Sequence, residues 1–424
     1  MFLIFFLLVV AVSLVILVSI LAKKKWKKHK TKIELEFKEI YRYEKKLLIP
    51  NVLSTRKAVL QSHPGEVVKN SFLVVYKDTV SSAAALTSCI VTAFASGGSS
   101  PFRVTNEYQD CVRGFAAIME DAVLNDLLQN PNVENIYEDA VVKLEFSTDH
   151  KTSENKWFLN RIFKPNLPEY KSQHLVDVFI LDSGIDPTSI PKPLVSYEKS
   201  FVSDFANDDN GHGTHVAGII KYVAPNASLH AIKVITEKGS GSYSKIVAAI
   251  NYVVGLKTGT RKVANLSLGS NIRTTNYNIL DLSVSQAISS GVVFCVAGGN
   301  VSENSEYFSP AHVRTAITVG SFGQDNKFSE FSNFGSSLTI LAPGSYIVSK
   351  GLNNTTKCMT GTSMSCPFIS GFVARYLSLN PISTPAQVKA FLILKAKEAV
   401  LKKETTLIEN VPPKTCAESI WVDF

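Results

Sequence analysis

Three polar residues at the edges of apolar segments constrain this chain more than any other feature, and Asp182 is the first. It ends the apolar run 178–181, in which two of the four residues are β-branched. A short, continuous apolar run is typical of a strand that is buried on both faces. Functional sites in open α/β sheets lie at the carboxyl ends of the strands. The sequence therefore predicts an α/β fold with Asp182 at the functional edge of its sheet.

The second polar residue is a histidine enclosed by glycines. His212 lies in residues 210–218, Asn-Gly-His-Gly-Thr-His-Val-Ala-Gly. This composition predicts the start of a helix with one face of small residues. Because Gly213, Ala217 and Gly218 have little or no side chain, this helix is expected to pack closely against the sheet.

The third polar residue is Ser363, in residues 360–367, Thr-Gly-Thr-Ser-Met-Ser-Cys-Pro. Apolar residues follow it at helical spacing, so Ser363 is expected to begin a helix. We expect Pro367 to be tolerated there because the N–H groups of a first turn lack intrahelical partners. The N–H groups and positive dipole end of such a helix suit a developing oxyanion.

An acid, a base and a hydroxyl are the groups that covalent acyl transfer needs. A serine hydroxyl is a weak nucleophile until a base such as His212 takes its proton, and Asp182 would hold the imidazole in the required tautomer. A zinc site at His212 and His215 is a competing interpretation. It fails because two helical zinc ligands prefer i, i+4 spacing with an intervening Glu. His215 is therefore expected to be a structural core residue.

The three segments and their order along the chain resemble the subtilisin family of serine peptidases. Residues 307–311 and 329–335 look closest to its proteinase K branch, and the similarity covers about residues 155–380. The resemblance implies an α/β, subtilisin-like three-layer fold with a mostly parallel central sheet. It also implies a serine endopeptidase that works through an acyl-enzyme, with Asp182, His212 and Ser363 as the catalytic residues.

The resemblance also implies the residues that bind substrate. Residues 292–300 look like a buried strand that breaks into glycines, and Asn300 matches the family's oxyanion-hole asparagine. Two further segments resemble those that sandwich an extended peptide as an added β-strand. The substrate-binding candidates in them are Gly239, Ser240, Gly241, Tyr243, Ser267, Leu268 and Gly269. Tyr243 matches the aromatic residue that borders a substrate pocket. An ordinary Gly-Ser loop is the alternative interpretation of residues 239–241.

The chain also departs from the family pattern. Ser365, Cys366 and Phe368 replace the usual Ala, Thr and His, and we expect these small changes to be tolerated. Residues 218–226 lead directly into a strand, where many subtilisins carry an inserted calcium-binding loop. We therefore expect no metal at that position and no cofactor for the reaction.

A smaller domain, residues 67–147, precedes the peptidase-like part. Extended segments at 71–76, 102–104, 113–119 and 141–145 and a helix at 121–129 fit a small α+β, ferredoxin-like module. This segment resembles the inhibitory propeptide of subtilisin-like peptidases, which implies an intramolecular inhibitor that covers the active-site cleft. An interaction domain of unrelated function is the alternative interpretation.

The N-terminus is apolar and then basic. Residues 1–22 are long enough to span a bilayer and predict a signal or membrane-anchor segment. The basic linker 23–66 follows. Residues 23–60 hold 13 Lys and Arg against 4 Asp and Glu, or +9. Since the whole chain is +8, the remainder sums to −1, so no nucleic-acid partner is expected for the folded domains.

The predicted organisation is that of a self-processing zymogen. A polar linker, 148–156, joins the propeptide to a peptidase domain at 157–424, and we expect self-cleavage between about Phe146 and Asn155. Its substrates would be proteins or peptides, its location the secretory pathway, extracellular or membrane-anchored, and its mature domain a monomer. Two alternatives remain open: a catalytically inactive relative kept for interaction or chaperoning, and a membrane-anchored structural protein.

Overall fold

The computed structural model describes residues 57–95, 102–149, 156–159, 174–191, 194–401, 408–412, 415 and 418–419. The apolar segment 1–22 and most of the basic linker lie outside these residues, as does most of the linker 148–156. Within the described part of the chain, no helix combines the length and the apolar composition that crossing a bilayer requires.

A small α+β module comes first along the chain. Its elements are β1 (Val59–Gln61), β2 (Val67–Tyr76), α1 (Ser82–Ala95), β3 (Arg103–Tyr108), β4 (Gly114–Ile118), α2 (Asp121–Leu127) and β5 (Val133–Lys143). The sheet order is β1-β5-β2-β4-β3, and all neighbours are antiparallel except β1 and β5. Apart from β1, the order and connections are those of the predicted ferredoxin-like module. Helices α1 and α2 cover one face of this sheet, over buried residues such as Phe115 and Leu127.

The larger module contains all the remaining strands of the described residues. They are β6 (Ser147–Asp149), β7 (Val176–Asp182), β8 (Val195–Ser200), β9 (Ser228–Lys233), β10 (Ser240–Ser242), β11 (Arg261–Leu266), β12 (Ser270–Asn271), β13 (Val293–Ala297), β14 (Phe308–Ser309), β15 (Ile317–Phe322), β16 (Ile340–Pro343), β17 (Ile347–Lys350), β18 (Thr356–Thr360) and β19 (Glu418–Ser419). Eight of them form a wholly parallel central sheet in the order β19-β16-β15-β13-β11-β7-β9-β8. This confirms the predicted parallel sheet.

Helices cover both faces of the central sheet. They are α3 (His212–Val223), α4 (Tyr243–Gly255), α5 (Ile279–Ser289), α6 (Thr362–Leu379) and α7 (Pro385–Leu401). Every residue of β7 is buried. Its Val178 and Ile180 pack in one core with α3, α6 and α7, whereas Phe179 and Leu181 pack in another with α4 and α5. The continuous apolar run before Asp182 thus serves two cores, which gives the predicted three layers.

The small-residue face of α3 is also present. A Cβ at Gly213 would lie 2.2 Å from the Gly184 carbonyl oxygen, and one at Gly218 would lie 2.3 Å from Ser349 Oγ. The backbone contact at Gly213 admits only glycine, and it brings His212 close to the end of β7.

The two modules are joined by strand pairing and by a buried carboxyl group. Strand β10 pairs antiparallel with β5, so a strand of the larger module extends the sheet of the smaller one. Asp139 on β5 is 2 % exposed and accepts hydrogen bonds from Ser71 Oγ at 2.8 Å, Ser244 N–H at 2.8 Å and Ser244 Oγ at 2.7 Å. Its carboxyl group therefore occupies the N-terminus of α4, where a negative charge is stabilised.

Replacement of Asp139 by Ala is expected to weaken this junction by about 1–3 kcal/mol, because it leaves the buried Ser244 N–H without its acceptor. Native-state hydrogen exchange of the β5 amides measures the change as a lower free energy of opening. The exposed Glu107 on β3 provides a matched control, Glu107→Ala. Equal protection of β5 in both variants would contradict the stabilising role of Asp139.

Candidate active site

Asp182 and His212 form a buried hydrogen-bonded pair. His212 Nδ1 lies 2.8 Å from Asp182 Oδ1, and both side chains are fully buried. Asp182 is the last residue of β7, and His212 is the first residue of α3. The sheet edge and the helix N-terminus thus meet as the sequence predicts. Because Nδ1 faces the carboxylate, Nε2 is the nitrogen left to exchange a proton.

A second carboxyl group holds the segment that carries His212. Asp208 is 8 % exposed and accepts five hydrogen bonds of 2.6–3.0 Å. Their donors belong to Ser183, Asn210, Gly211 and Thr214. Ser183 Oγ in turn accepts the N–H of Gly213 at 2.9 Å. One carboxyl group therefore ties the residue after Asp182 to the residues on both sides of His212.

Asp208 is a functional residue that was not predicted from the sequence. Its signal was present in residues 208–210, Asp-Asp-Asn, directly before the Gly-His-Gly segment. Asp and Asn side chains commonly bind backbone N–H groups two or three residues onward, and such a turn was predictable. The bonds to Ser183 and Thr214 were not, because they depend on the packing of α3 on β7.

Ser363 lies in the first turn of α6 and is 3 % exposed. Its hydroxyl donates to the carbonyl oxygen of Ser267 at 3.1 Å. His212 Nε2 is buried, and no group of the described residues is hydrogen-bonded to it. The hydroxyl and the imidazole nitrogen are thus not bonded to each other in this conformation. Catalytic hydrogen bonds are often loose in resting enzymes and tighten only when substrate is engaged.

The position of Pro367 differs from the expectation. Helix α6 begins at Thr362, so Pro367 is its sixth residue and lies beyond the first turn. Proline lacks the N–H that would bind the carbonyl four residues earlier, which is that of Ser363. Ser267 Oγ supplies the missing donor and lies 2.9 Å from the Ser363 carbonyl oxygen. Ser267 therefore contacts both the carbonyl and the hydroxyl of Ser363.

Asn300 is oriented by Thr362, the residue before Ser363. Asn300 Oδ1 accepts hydrogen bonds from the Thr362 N–H and from Thr362 Oγ1, both at 2.8 Å. These bonds turn the amide nitrogen outward, where Nδ2 donates to the carbonyl oxygen of Glu145. The predicted oxyanion donor thus faces a peptide carbonyl of the chain's own small module.

The predicted substrate-binding segments surround the same stretch of chain. Lys143 pairs with Ser240 on one side and with Gly269 on the other, both antiparallel. The Leu144 N–H donates to the Gly239 carbonyl oxygen at 2.9 Å. Residues 141–145 therefore lie as an extended strand between residues 239–242 and residue 269.

Tyr243 is buried directly after the strand β10 that pairs with β5. It is 1 % exposed and is hydrogen-bonded through its hydroxyl to Ser270 Oγ at 2.6 Å. Its ring contacts His63 edge-on at a centroid separation of 5.5 Å. The predicted pocket-bordering aromatic residue thus packs against the small module.

A pocket opens beside Ser363, which we term the Ser363 pocket. Its lining includes residues 267–270, 297–300, 308–309 and 362–363, together with Glu145. Ser267, Leu268, Gly269, Asn300 and Ser363, predicted from three separate segments, are all in its wall. After Glu145 the chain continues to Phe146, whose ring centroid lies 4.8 Å from that of His212.

His215 and Cys366, two other candidates near the motifs, have structural surroundings. His215 Nε2 donates to the carbonyl oxygens of Ile347 and Lys357, each at 3.1 Å, and burial lowers its pKa to about 3. Cys366 is fully buried with Sγ 3.3 Å from Asn265 Oδ1, and burial raises its pKa well above the ordinary value. Among the described residues, no group of three or more His, Cys, Asp or Glu side chains is arranged to hold a metal ion.

The fold and this site define a class: a parallel α/β hydrolase with a serine, a histidine–aspartate pair and an inhibitor-like module. Residues 176–411 match the family model described as the subtilase family, and residues 62–145 match that of peptidase inhibitor I9. The chain therefore belongs to the subtilase family of serine peptidases and carries an inhibitor domain of the propeptide type.

Relatives and a solved structure agree with this assignment. The chain is 33% identical over 383 residues to the extracellular serine proteinase of Thermus sp. (strain Rt41A), covering 83% of this chain and 91% of that protein. It is 31% identical to the cuticle-degrading protease of Metarhizium anisopliae, covering 76% of this chain and 83% of that protein. It is 34% identical to alkaline serine exoprotease A of Vibrio alginolyticus, covering 69% of this chain but 57% of that protein. A crystal structure of a cold adapted subtilisin-like serine proteinase matches with 33% identity and a TM-score of 0.53, over 62% of this chain and 96% of that one.

Replacement of Asp208 by Asn is expected to lower kcat about 10- to 100-fold with little change in KM. It disturbs the segment that positions His212, and a displacement of about 1 Å in a catalytic group can cost a factor of 10². Peptide hydrolysis per active site, with active sites counted by fluorophosphonate labelling, measures this effect.

The matched control for this prediction is Asp177→Asn. Asp177 is a buried carboxyl group near the opposite end of β7, hydrogen-bonded to His230 at 2.8 Å. Its replacement should lower the melting temperature but leave kcat per active site unchanged. If Asp208→Asn behaves like this control, Asp208 does not position His212.

Proposed function

We propose that this chain is a self-processing zymogen of a serine endopeptidase with Asp182, His212 and Ser363 as its catalytic triad. The single observation that carries the proposal is the path of residues 141–149. They run through the cleft as an extended peptide, with the Glu145 carbonyl at the amide of Asn300 and with Phe146 against His212. A substrate bound for attack by Ser363 needs this arrangement of backbone, oxyanion donor and base.

The reaction begins with a rotation of the Ser363 side chain. Its hydroxyl turns from the Ser267 carbonyl to His212 Nε2, which is free to accept the proton. The oxygen attacks the carbonyl carbon, and the resulting oxyanion is stabilised by Asn300 Nδ2 and the Ser363 N–H at the start of α6. Asp182 stabilises the imidazolium that forms.

Collapse of this intermediate releases the amine. His212 returns its proton to the leaving nitrogen, the peptide bond breaks, and Ser363 is left as an ester of the acyl fragment. A water molecule, deprotonated by His212, then hydrolyses the ester and restores the serine. Thr362 contributes by holding the Asn300 amide in place for both steps.

In self-processing, the proposed scissile bond is Glu145–Phe146. On the acyl side, the antiparallel pairing of β5 with β10 supports this assignment, together with the contact between Glu145 and Asn300. On the leaving side, β6 pairs antiparallel with β18, with Ser147 opposite Thr360 and Thr148 opposite Met359. This bond lies directly before Phe146, where the window of about 146–155 expected from the sequence begins, and before the predicted linker 148–156.

After cleavage, the small module would remain bound as a product-like inhibitor. The pairing of β5 with β10 and the Asp139 carboxyl group at α4 do not depend on the broken bond. Both contacts support a propeptide, residues 67–145, that stays bound after cleavage until another process removes it. Protein or peptide substrates then enter the same cleft, and the mature domain is proposed to act as a monomer.

We place this peptidase in the secretory pathway. The support is the name of the Thermus relative, an extracellular serine proteinase, together with the apolar segment 1–22. Residues 1–22 are proposed to act as a signal or membrane anchor.

One observation favours a second candidate function, an inactive subtilase that serves as an interaction or chaperone protein. The Ser363 hydroxyl is bonded to Ser267 and not to His212. The two candidates differ in whether Ser363 can react, because only a competent site activates it.

Expression of the full chain separates them. Mass spectrometry of the peptidase domain is expected to find a new N-terminus at Phe146, whereas Ser363→Ala should leave the chain intact. Asn300→Leu is expected to slow processing about 10²- to 10³-fold, the range typical for loss of an oxyanion donor. The matched control is Ser365→Ala, which removes a buried hydroxyl two residues away that donates to the Ala342 carbonyl oxygen. It should be processed normally.

Three results would reject the proposal. Processing of Ser363→Ala at the same bond would exclude self-cleavage by Ser363. A new N-terminus elsewhere would reject the Glu145–Phe146 assignment. An intact wild-type chain that resists fluorophosphonate would favour the inactive relative.

A further inference from the structure

A buried asparagine interrupts the apolar end of β11. Asn265 is fully buried and lies between Ala264 and Leu266, which are also fully buried. It is at the centre of the parallel sheet, with β7 on one side and β13 on the other. A buried amide costs free energy unless its hydrogen-bonding groups find partners. The Asn265 side chain therefore needs specific partners at this position.

The partners of the Asn265 oxygen belong to helix α6. Oδ1 accepts hydrogen bonds from Ser370 Oγ at 2.8 Å and from Cys366 Sγ at 3.3 Å. Both donors are fully buried. An amide oxygen has two lone pairs, so these two donors use its accepting capacity. The amide nitrogen is consequently left to face the other side, away from these two residues.

The Asn265 nitrogen faces Ser267. Its Nδ2 donates to Ser267 Oγ at 3.0 Å, and the same hydroxyl donates to the Ser363 carbonyl oxygen at 2.9 Å. A hydroxyl group has a single hydrogen. Because Ser267 Oγ accepts from Asn265, its own hydrogen remains available for Ser363. The Asn265 amide thus sets the direction in which the Ser267 hydroxyl points.

This direction matters because the Ser363 carbonyl lacks its usual helical partner. The residue four positions later is Pro367, which has no N–H to donate. In the proposed reaction, Ser363 supplies both the nucleophilic hydroxyl and one oxyanion donor. A loosened first turn of α6 would displace both groups, and a displacement of about 1 Å in a catalytic group can cost a factor of 10².

We propose that Asn265 is a positioning residue for Ser363 that acts through Ser267. Its amide fixes the direction in which the Ser267 hydroxyl donates, and this holds the first turn of α6 in place for catalysis. The inference rests on the proposed function, since it takes Ser363 as the nucleophile. The feature that matters at position 265 is then a donor aimed at Ser267, and not merely a side chain of the right volume.

Replacement of Asn265 by Asp reverses this hydrogen bond in a pH-dependent way. A protonated carboxyl group can donate to Ser267 as the amide does, whereas an ionised carboxylate can only accept. The ionised form therefore draws the Ser267 hydroxyl away from Ser363. Burial raises the pKa of such a carboxyl group. Activity should be retained at acidic pH and lost as the pH rises through this raised pKa.

The groups around position 265 keep this test simple. Of the described residues, the titratable ones packed against it are Cys366 on α6 and Cys295, its register partner on β13. Burial raises the pKa of both thiols, that of Cys295 to about 12, so both stay neutral in the assay. The register partner on β7 is the apolar Ile180. The ratio of kcat between variant and unchanged enzyme cancels the titration of His212, which both share.

The first experiment measures this ratio between pH 5 and pH 9. The full chain is expressed, allowed to process itself and freed of its propeptide, and active sites are counted by fluorophosphonate labelling. For a peptide substrate, kcat of Asn265→Asp should lie within about two-fold of the unchanged enzyme at pH 5 and about 10- to 100-fold below it at pH 9. KM should change less than about two-fold, because the peptide-binding strands are untouched.

The matched control is Asn251→Asp on α4. Asn251 Oδ1 accepts backbone N–H groups of residues 109–111 in the small module, and a carboxylate can accept them equally. This variant introduces the same carboxyl group on the other face of the central sheet. Its kcat ratio to the unchanged enzyme should stay constant from pH 5 to pH 9.

The second experiment removes the hydroxyl whose direction is in question. In a Ser267→Ala background, Asn265→Asp should lose its pH dependence, because no hydroxyl is left to redirect. If Asn265→Asp fails to fold, Asn265→Ala and Ser267→Ala form a second cycle. Their effects on kcat should not add, since both act on the same donor to Ser363.

The outcomes separate this inference from the proposed function. A constant kcat ratio in Asn265→Asp, or the same pH dependence with and without the Ser267 hydroxyl, overturns the role of Asn265 and leaves the triad intact. Additive effects in the alanine cycle overturn it as well. Hydrolysis that survives Ser363→Ala overturns the proposed function and this inference together.

Discussion

The buried hydrogen bond between His212 and Asp182 is the interaction on which the rest of the structure depends. Two polar groups are removed from water at the junction of a strand end and a helix start, and neither tolerates burial without its partner. The approach requires Gly213 to contact the backbone of Gly184, and it requires Asp208 to bind N–H groups that would otherwise be unsatisfied. The free-energy cost of orienting His212 is thus shared among these contacts and is met when the protein folds.

Ser363 is positioned differently, through its contacts with Ser267. Its helix contains a proline at a position that removes one backbone hydrogen bond, and Ser267 from the end of β11 compensates for the loss. The same Ser267 carbonyl accepts the Ser363 hydroxyl in the resting state. A single residue therefore couples the substrate-binding segment 267–269 to the start of α6. A peptide that pairs with Gly269 therefore lies beside the Ser267 carbonyl, from which the Ser363 hydroxyl must turn away before it can react.

The parts of this structure that could be predicted are those encoded over short stretches of sequence. The apolar run of β7, the small-residue face of α3 and the glycines before Asn300 each specify a local environment, and the positions of Asp182, His212 and Asn300 follow from them. The roles of Asp208 and Ser267 could not be predicted, because both act through contacts between segments distant in sequence. The position of Glu145 opposite Asn300 was also hidden, since the register of β5 on β10 is fixed only by docking of the whole module. Pro367 shows how a shift of a few residues in a helix start changes the explanation of a motif.

The pairing of β6 with β18 has a consequence for the enzyme after its first reaction. The proposed cut before Phe146 would produce an amino-terminal segment that still lies along strand 356–360. A later peptide would extend along the same strand beyond its cut site. After the proposed cleavage, the peptidase would be blocked on both sides of the cut site, upstream by the severed module and downstream by its own first residues. Both segments would have to dissociate before another peptide could bind, and the slower dissociation would set the delay between cleavage and activity.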